Sequence, residues 1–271
     1  TPATEGNEDN VKAAILCGGK GTRIRDVSQE DPKPMVPIGT YPIVWHIMSL
    51  YSHFGVNEFV LCLGYKGWKI KEYFLNYRLQ AGNFALSLDG SAPRFRADPP
   101  EHTLGWDITF AETGLESMTG ARVKRIENYV AGETFMLTYG DGVGNVDIRA
   151  LLAFHKAHGK LATVTAVRPP SRFGELEIDD AGTVLSFHEK PQTSTGLING
   201  GFFVFEPGVF DYLSADASCM LETDPLQNLA HDRQLMTFVH DGYWQPMDTA
   251  REYLLLNNLW DRGQAPWKVW Q

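Results

Sequence analysis

Three glycines fall within four residues in Leu16-Cys17-Gly18-Gly19-Lys20-Gly21-Thr22-Arg23, the first stretch whose residue types and spacing could do chemistry. Without a Cβ, such a turn lets backbone N–H groups close on a ligand, and successive N–H groups make a cradle for phosphate. Ten residues past Arg23 comes Lys33, set between Pro32 and Pro34, which should hold its backbone extended. Two cations beside a glycine-rich turn suit a polyanion. The dinucleotide fingerprint does not fit, because the glycine required three residues after Gly21 is Ile24. A Walker A loop fails as well: Gly19-Lys20 runs into Gly21, and Gly159-Lys160 into Leu161. What remains is a phosphate loop of another design, or an ordinary surface turn.

Other candidates lie further along. Tyr139-Gly140-Asp141-Gly142 follows an apolar strand expected over residues 134–138, and ligands of open α/β sheets bind beyond the carboxyl ends of strands. Asp141 is therefore either a metal ligand or an Asx turn or cap for the helix expected over 146–158, which Asp147 could cap equally well. Arg122 falls in the first turn of a helix expected over 119–129, where a cation opposes the helix dipole unless an anion is near. It is a candidate nucleotide contact or a solvated arginine. Phe173-Gly174 offers close backbone approach, Glu189-Lys190-Pro191 an acceptor and a cation on an extended segment, and Asn199-Gly200-Gly201 a turn ahead of a strand. Asp248 reads as the cap of a closing helix over 249–259.

The elements that must position these residues alternate between strand and helix through the first half. That pattern gives a Rossmann-like, mostly parallel sheet with helices on both faces. Strands are expected at 11–17, 58–63 and 161–167, with helices at 43–54, stopped by Gly55, and 68–79. The second half turns to shorter strands at 176–178, 184–187 and 202–205, the mark of a smaller β subdomain packed on the first part. One domain over 11–271 is expected, its parts meeting near residue 167, with the polar residues 1–10 frayed. Residues 89–105, rich in Pro, Arg and Asp, form a long loop of the kind that serves as a lid, an oligomer contact or a disordered segment. Trp267 and Trp270 need cover from their own domain or a neighbour.

A net charge of −9 argues against nucleic acid as the main partner, so phosphate must be met by a local cluster of cations. No apolar run approaches bilayer length and no charged-then-apolar leader opens the chain, so a soluble, cytoplasmic protein with no membrane partner is expected. Three cysteines without metal spacing and eight histidines without a two-His helical spacing suggest no zinc site.

Taken together, the glycine loop and Pro32-Lys33-Pro34-Met35-Val36 resemble the signature of the sugar-1-phosphate nucleotidylyltransferases. The likeness continues in order through Tyr41-Pro42-Ile43-Val44-Trp45, Gly64-Tyr65-Lys66-Gly67, Met118-Thr119-Gly120-Ala121-Arg122, Tyr139-Gly140-Asp141-Gly142 and Arg172-Phe173-Gly174. It closes with Glu189-Lys190-Pro191, Ile198-Asn199-Gly200-Gly201 and Trp244-Gln245-Pro246-Met247-Asp248-Thr249. Within that family the blocks look most like those of cytidylyl-transferring members acting on glucose 1-phosphate. The resemblance implies transfer of a nucleotidyl group from a nucleoside triphosphate, CTP foremost, to a hexose 1-phosphate with release of pyrophosphate. UTP- or dTTP-dependent transfer and a non-catalytic regulatory relative are the alternatives. It implies Mg²⁺ held by Asp141 and Asp248, and Arg23 and Lys33 as the catalytic cations. Gly18, Gly19, Gly21, Thr22 and Arg122 would line the nucleotide, and Gly174, Glu189, Lys190 and Asn199 the sugar phosphate. It also implies a homo-oligomer, with the 89–105 region linked to subunit association. Departures are Cys17 in place of the usual alanine and Asp31 where a lysine is common.

Overall fold

A computed structural model describes residues 11–21, 31–95, 104–130, 132–169, 175–178, 184–188 and 196–270, with only the backbone of 175–178 and 184–188. Thr22, Arg23, Gly174, Glu189, Lys190 and residues 1–10 lie outside the described residues.

Seven strands form the central sheet: β1 (Lys12–Leu16), β2 (Glu58–Leu63), β3 (Asp107–Glu112), β4 (Phe135–Tyr139), β5 (Ala162–Val167), β6 (Ile198–Phe205) and β7 (Leu235–His240). Their order across the sheet is β7-β5-β6-β4-β1-β2-β3. All neighbours run parallel except β6, which is antiparallel to both β5 and β4. The expected mostly parallel sheet is thus the one that forms.

The central strand β1 reads Lys-Ala-Ala-Ile-Leu, a run without polar alternation, because helices cover both faces. Ala13 and Ile15 enter one core with Phe59, Leu61, Met136 and Val204, while Ala14 and Leu16 enter the other with Val60, Phe135, Leu137 and Phe203. The helix Ile43–His53 packs on the first face, ending before Gly55, whose φ of +93° lets the chain leave. Among the described residues no helix is long and apolar enough to cross a membrane.

Several expectations are corrected. The helix expected over 68–79 is two, Gly67–Leu75 and Tyr77–Ala81, broken at Asn76. That over 119–129 is also two, Thr119–Arg125 and Glu127–Val130. Phe84–Ala85 pairs with Arg94–Phe95, so a small hairpin reaches into the stretch expected as loop. Asn199 does not precede its strand but lies inside β6, where Gly201 at φ +79° and a register shift against β5 absorb the irregularity. Lys33 opens a 3-10 turn, Lys33–Met35, where an extended backbone was expected. The Val36 N–H donates to the Lys33 carbonyl at 3.1 Å and closes that turn. Trp267 is covered by its own chain, 1% exposed between Tyr243 and Trp260.

Candidate active site

The carboxyl end of β1 runs straight into Cys17-Gly18-Gly19, pinned to the next strand by Cys17 N–H donating to Cys62 O and Tyr65 N–H to Gly18 O. Beneath it lies Arg122, 4% exposed. One guanidinium nitrogen, Nη1, donates to Leu63 O, Thr113 Oγ1 and Gly114 O at 3.0, 2.8 and 2.8 Å, and the other, Nη2, to Gly18 O at 3.0 Å. A Cβ at position 18 would lie 2.1 Å from Arg122 Nη1, so the glycine there serves close packing. The helix carrying Arg122 ends at Arg125, which puts this cation in the last turn, where the dipole favours it. In so short a helix Arg122 stays in the first turn as well, so the conflict read from the sequence is offset and not removed. The hydrogen bonds of Arg122 serve protein carbonyls and the Thr113 hydroxyl under the glycine loop, although its side chain also borders the cavity above.

Asp141 stands just past β4, where a short antiparallel pair, Gly142–Gly144 with Trp244–Pro246, brings it beside Asp248. Met247 N–H donates to Asp141 O at 2.8 Å and locks the two segments together. Neither Asp141 nor Asp248 is the N-cap of the helix that follows it. Asp147 Oδ1 accepts from Ala150 N and caps Ile148–His158, as the sequence allowed. Thr249, not Asp248, caps Ala250–Asp261, in a reciprocal box with Glu252. Glu252 also takes the Asp248 N–H at 2.7 Å.

Lys33 joins them. Its Nζ lies 2.7 Å from Asp141 Oδ2 and also donates to Asp248 Oδ1, across sequence separations of 108 and 215 residues. The Lys33 side chain is 12% exposed, while those of Asp141 and Asp248 are 38% and 30% exposed. Burial works against the ammonium, but the two carboxylates more than offset it and hold Lys33 above the usual lysine range.

These side chains and Gly18, Gly19 and Gly21 line one cavity of about 300 Å³. Met118, Thr119 and Tyr139, to which the sequence pointed only as parts of longer motifs, also line it, as does Ser117, to which it did not point. At the rim Lys20 pairs with Glu116 at 2.8 Å, an exposed ion pair that the sequence did not single out. Asn199 meets the Tyr139 hydroxyl through its amide nitrogen at 3.2 Å.

The chain belongs to the nucleotidyl transferase family, whose model matches residues 12–260. It is 49% identical over 265 residues to glucose-1-phosphate cytidylyltransferase of Salmonella typhi, covering 96% of this chain and 100% of that protein. It is 28% identical over 249 residues to the mannose-1-phosphate guanylyltransferase catalytic subunit beta of Dictyostelium discoideum, covering 90% of this chain and 63% of the other. In structure it resembles UDP-glucose pyrophosphorylase complexed with UDP-glucose, with a TM-score of 0.66 at 15% identity over 93% of this chain and 99% of that one, a likeness of fold.

Proposed function

We propose that the protein transfers a cytidylyl group from CTP to glucose 1-phosphate, giving CDP-glucose and pyrophosphate. The observation that carries this reading is the meeting of Lys33, Asp141 and Asp248 beside the glycine loop in one cavity. Full-length similarity to a cytidylyl-transferring enzyme, much closer than to a guanylyl-transferring one, supports the choice of base and sugar.

Both reactants are polyanions, so the main task is to neutralise charge and hold an in-line geometry. A phosphate oxygen of glucose 1-phosphate attacks the α-phosphorus of CTP, and the bond to the bridging oxygen of the departing pyrophosphate breaks. The attacking phosphate loses its second proton near pH 6, about where phosphate esters do, and needs no general base. In this reading the backbone of Gly18, Gly19 and Gly21 cradles the nucleotide, and the Lys33 ammonium stabilises charge on the transferring group.

The donor set fits Mg²⁺. Two carboxylates already converge on one cation, the Lys33 ammonium, and among the described residues no group of three or more His, Cys, Asp or Glu gathers. Such a site supplies two protein oxygens and leaves the rest to substrate phosphates, the preference of this ion. Bound there by Asp141 and Asp248, Mg²⁺ would offset phosphate charge and polarise the α-phosphorus. The family resemblance assigns Arg23 to the nucleotide and Lys190, Glu189 and Gly174 to the sugar phosphate. We place the enzyme in the cytoplasm as a homo-oligomer.

The test is pyrophosphate release across CTP, UTP, dTTP, ATP and GTP paired with several hexose 1-phosphates, with and without Mg²⁺. CTP with glucose 1-phosphate should dominate, and EDTA should abolish release. Preference for another base, or release unaffected by EDTA, would refute the corresponding part. No release with any pair would favour a non-catalytic relative.

A further inference from the structure

Tyr139 and Thr119 of the cavity wall are bonded to Glu222 and Asn199, and of these four only Asn199 was given a role above, toward the sugar phosphate by the family resemblance. Tyr139 ends β4, two residues before Asp141, and forms part of the cavity wall. Its hydroxyl donates to Glu222 Oε1 and accepts from Asn199 Nδ2 at 3.2 Å. The other carboxylate oxygen of Glu222 accepts from Thr119 Oγ1 at 2.5 Å, and Thr119 Oγ1 accepts from the Leu221 N–H at 2.9 Å. Asn199 Oδ1 accepts the Gly201 N–H at 2.8 Å.

These bonds determine each other's direction. An ionised carboxylate only accepts, so both hydroxyl hydrogens point at Glu222. The Tyr139 oxygen is then left as an acceptor toward Asn199, and the Asn199 amide must turn its NH₂ to Tyr139 and its carbonyl to Gly201. A Cβ at Gly201 would lie 2.4 Å from Tyr139 Cδ2, so only glycine lets the ring approach. Among the described residues the second amide hydrogen of Asn199 has no acceptor.

The sheet order says which substrate that hydrogen would meet. The glycine loop leaves β1, and its support comes from the end of β2, on one side of β4. Asp141 follows β4 itself, and Asn199 lies on β6, on the opposite side. With the nucleotide on the β1 side and the reacting phosphorus near Asp141, the β6 side falls to the sugar.

We propose that Glu222 is a positioning residue for the sugar phosphate: by ordering Tyr139 it orients Asn199, which donates its remaining amide hydrogen to a hydroxyl of the hexose ring. This rests on the hexose 1-phosphate reading of the site.

Steady-state kinetics of Glu222→Gln, Tyr139→Phe, Asn199→Ala and the Glu222→Gln/Asn199→Ala double variant test it, with both KM values measured. Glu222→Gln and Tyr139→Phe should each raise KM for glucose 1-phosphate about tenfold, the scale of one lost hydrogen bond, with KM for CTP within about twofold. The double variant should be no worse than Asn199→Ala alone, because the two act through one contact. Equal shifts in both KM values would overturn the proposal, and so would additive effects in the double variant. Tyr139→Phe keeps the ring and breaks the same chain of hydrogen bonds, so it decides the matter if Glu222→Gln folds poorly. A wild-type protein active on a different sugar phosphate would refute the choice of glucose alone, and the comparison would be repeated with that substrate.

Discussion

Acid should weaken this protein through His46. The ring is 1% exposed on the helix Ile43–His53. Its Nε2–H donates to the Ile38 carbonyl at 2.9 Å, and its Nδ1 accepts the Trp267 indole N–H at 3.4 Å. Trp260 packs edge-on, ring centroids 4.7 Å apart. Those partners come from the two segments that carry the site: Ile38 follows the Lys33 turn, and Trp260 ends the helix that begins just after Asp248. A proton added at Nδ1 would face the indole N–H, a second donor. Burial is the largest influence and lowers the pKa from 6.5 to about 4, with the carbonyl contacts at Ile38 and Tyr41 pulling weakly the other way. Between those values the unfolded chain binds a proton that the native chain refuses. Stability is therefore complete above pH 6.5 and is lost as pH falls toward 4. The shift corresponds to about 3 kcal/mol over the full window, of which about 2 kcal/mol is gone at pH 5. Urea unfolding followed by tryptophan fluorescence from pH 8 to 5 measures it, on the wild type and on His46→Gln. The histidines His155, His158 and His240 are also lowered by burial and act in both proteins, so the difference between the curves isolates His46. Parallel curves would refute the reasoning.

Two further outcomes follow from the site. Lys33→Met should lower kcat by about 10²–10³, the cost of removing one preorganised donor to developing charge, with the circular dichroism unchanged; a loss under tenfold would show that Lys33 is not at the reacting phosphate. Gly18→Ala forces a methyl onto the Arg122 guanidinium and should cost about 1–3 kcal/mol and raise KM for the nucleotide, whereas at Gly19 a Cβ meets nothing within 4 Å and Ala should leave the melting temperature nearly unchanged. Equal melting temperatures for the two variants would argue against Arg122 as the support of the loop.

Much of the fold is legible in the chain alone. The bounds of β2 match to the residue, because Glu58 and Gly64 bracket an unbroken apolar run that only a strand covered on both faces tolerates. Asp147 is readable as a cap, and that reading releases Asp141. For Asp248 the decisive signal, Thr249 with Glu252 three residues on, is present in the chain, yet the acidic residue ahead of the helix draws the cap assignment instead. Hidden from view are features that exist only between distant segments. The pair Gly142–Gly144 and Trp244–Pro246 is too short to show a period, and β7 at the sheet's edge alternates only weakly in burial. Glu222 carries no local mark at all; its partners Tyr139 and Thr119 lie 83 and 103 residues away.

The short ribbon linking Gly142–Gly144 with Trp244–Pro246 also bears on how the protein comes into being. A ribosome delivers Lys33 early and Asp141 midway, but the second carboxylate emerges only after all seven strands of the sheet have been made. If Asp248 acts as proposed, a half-synthesised chain can hold the glycine loop and still handle no nucleotide productively, and turnover would then report that the last stretch has docked.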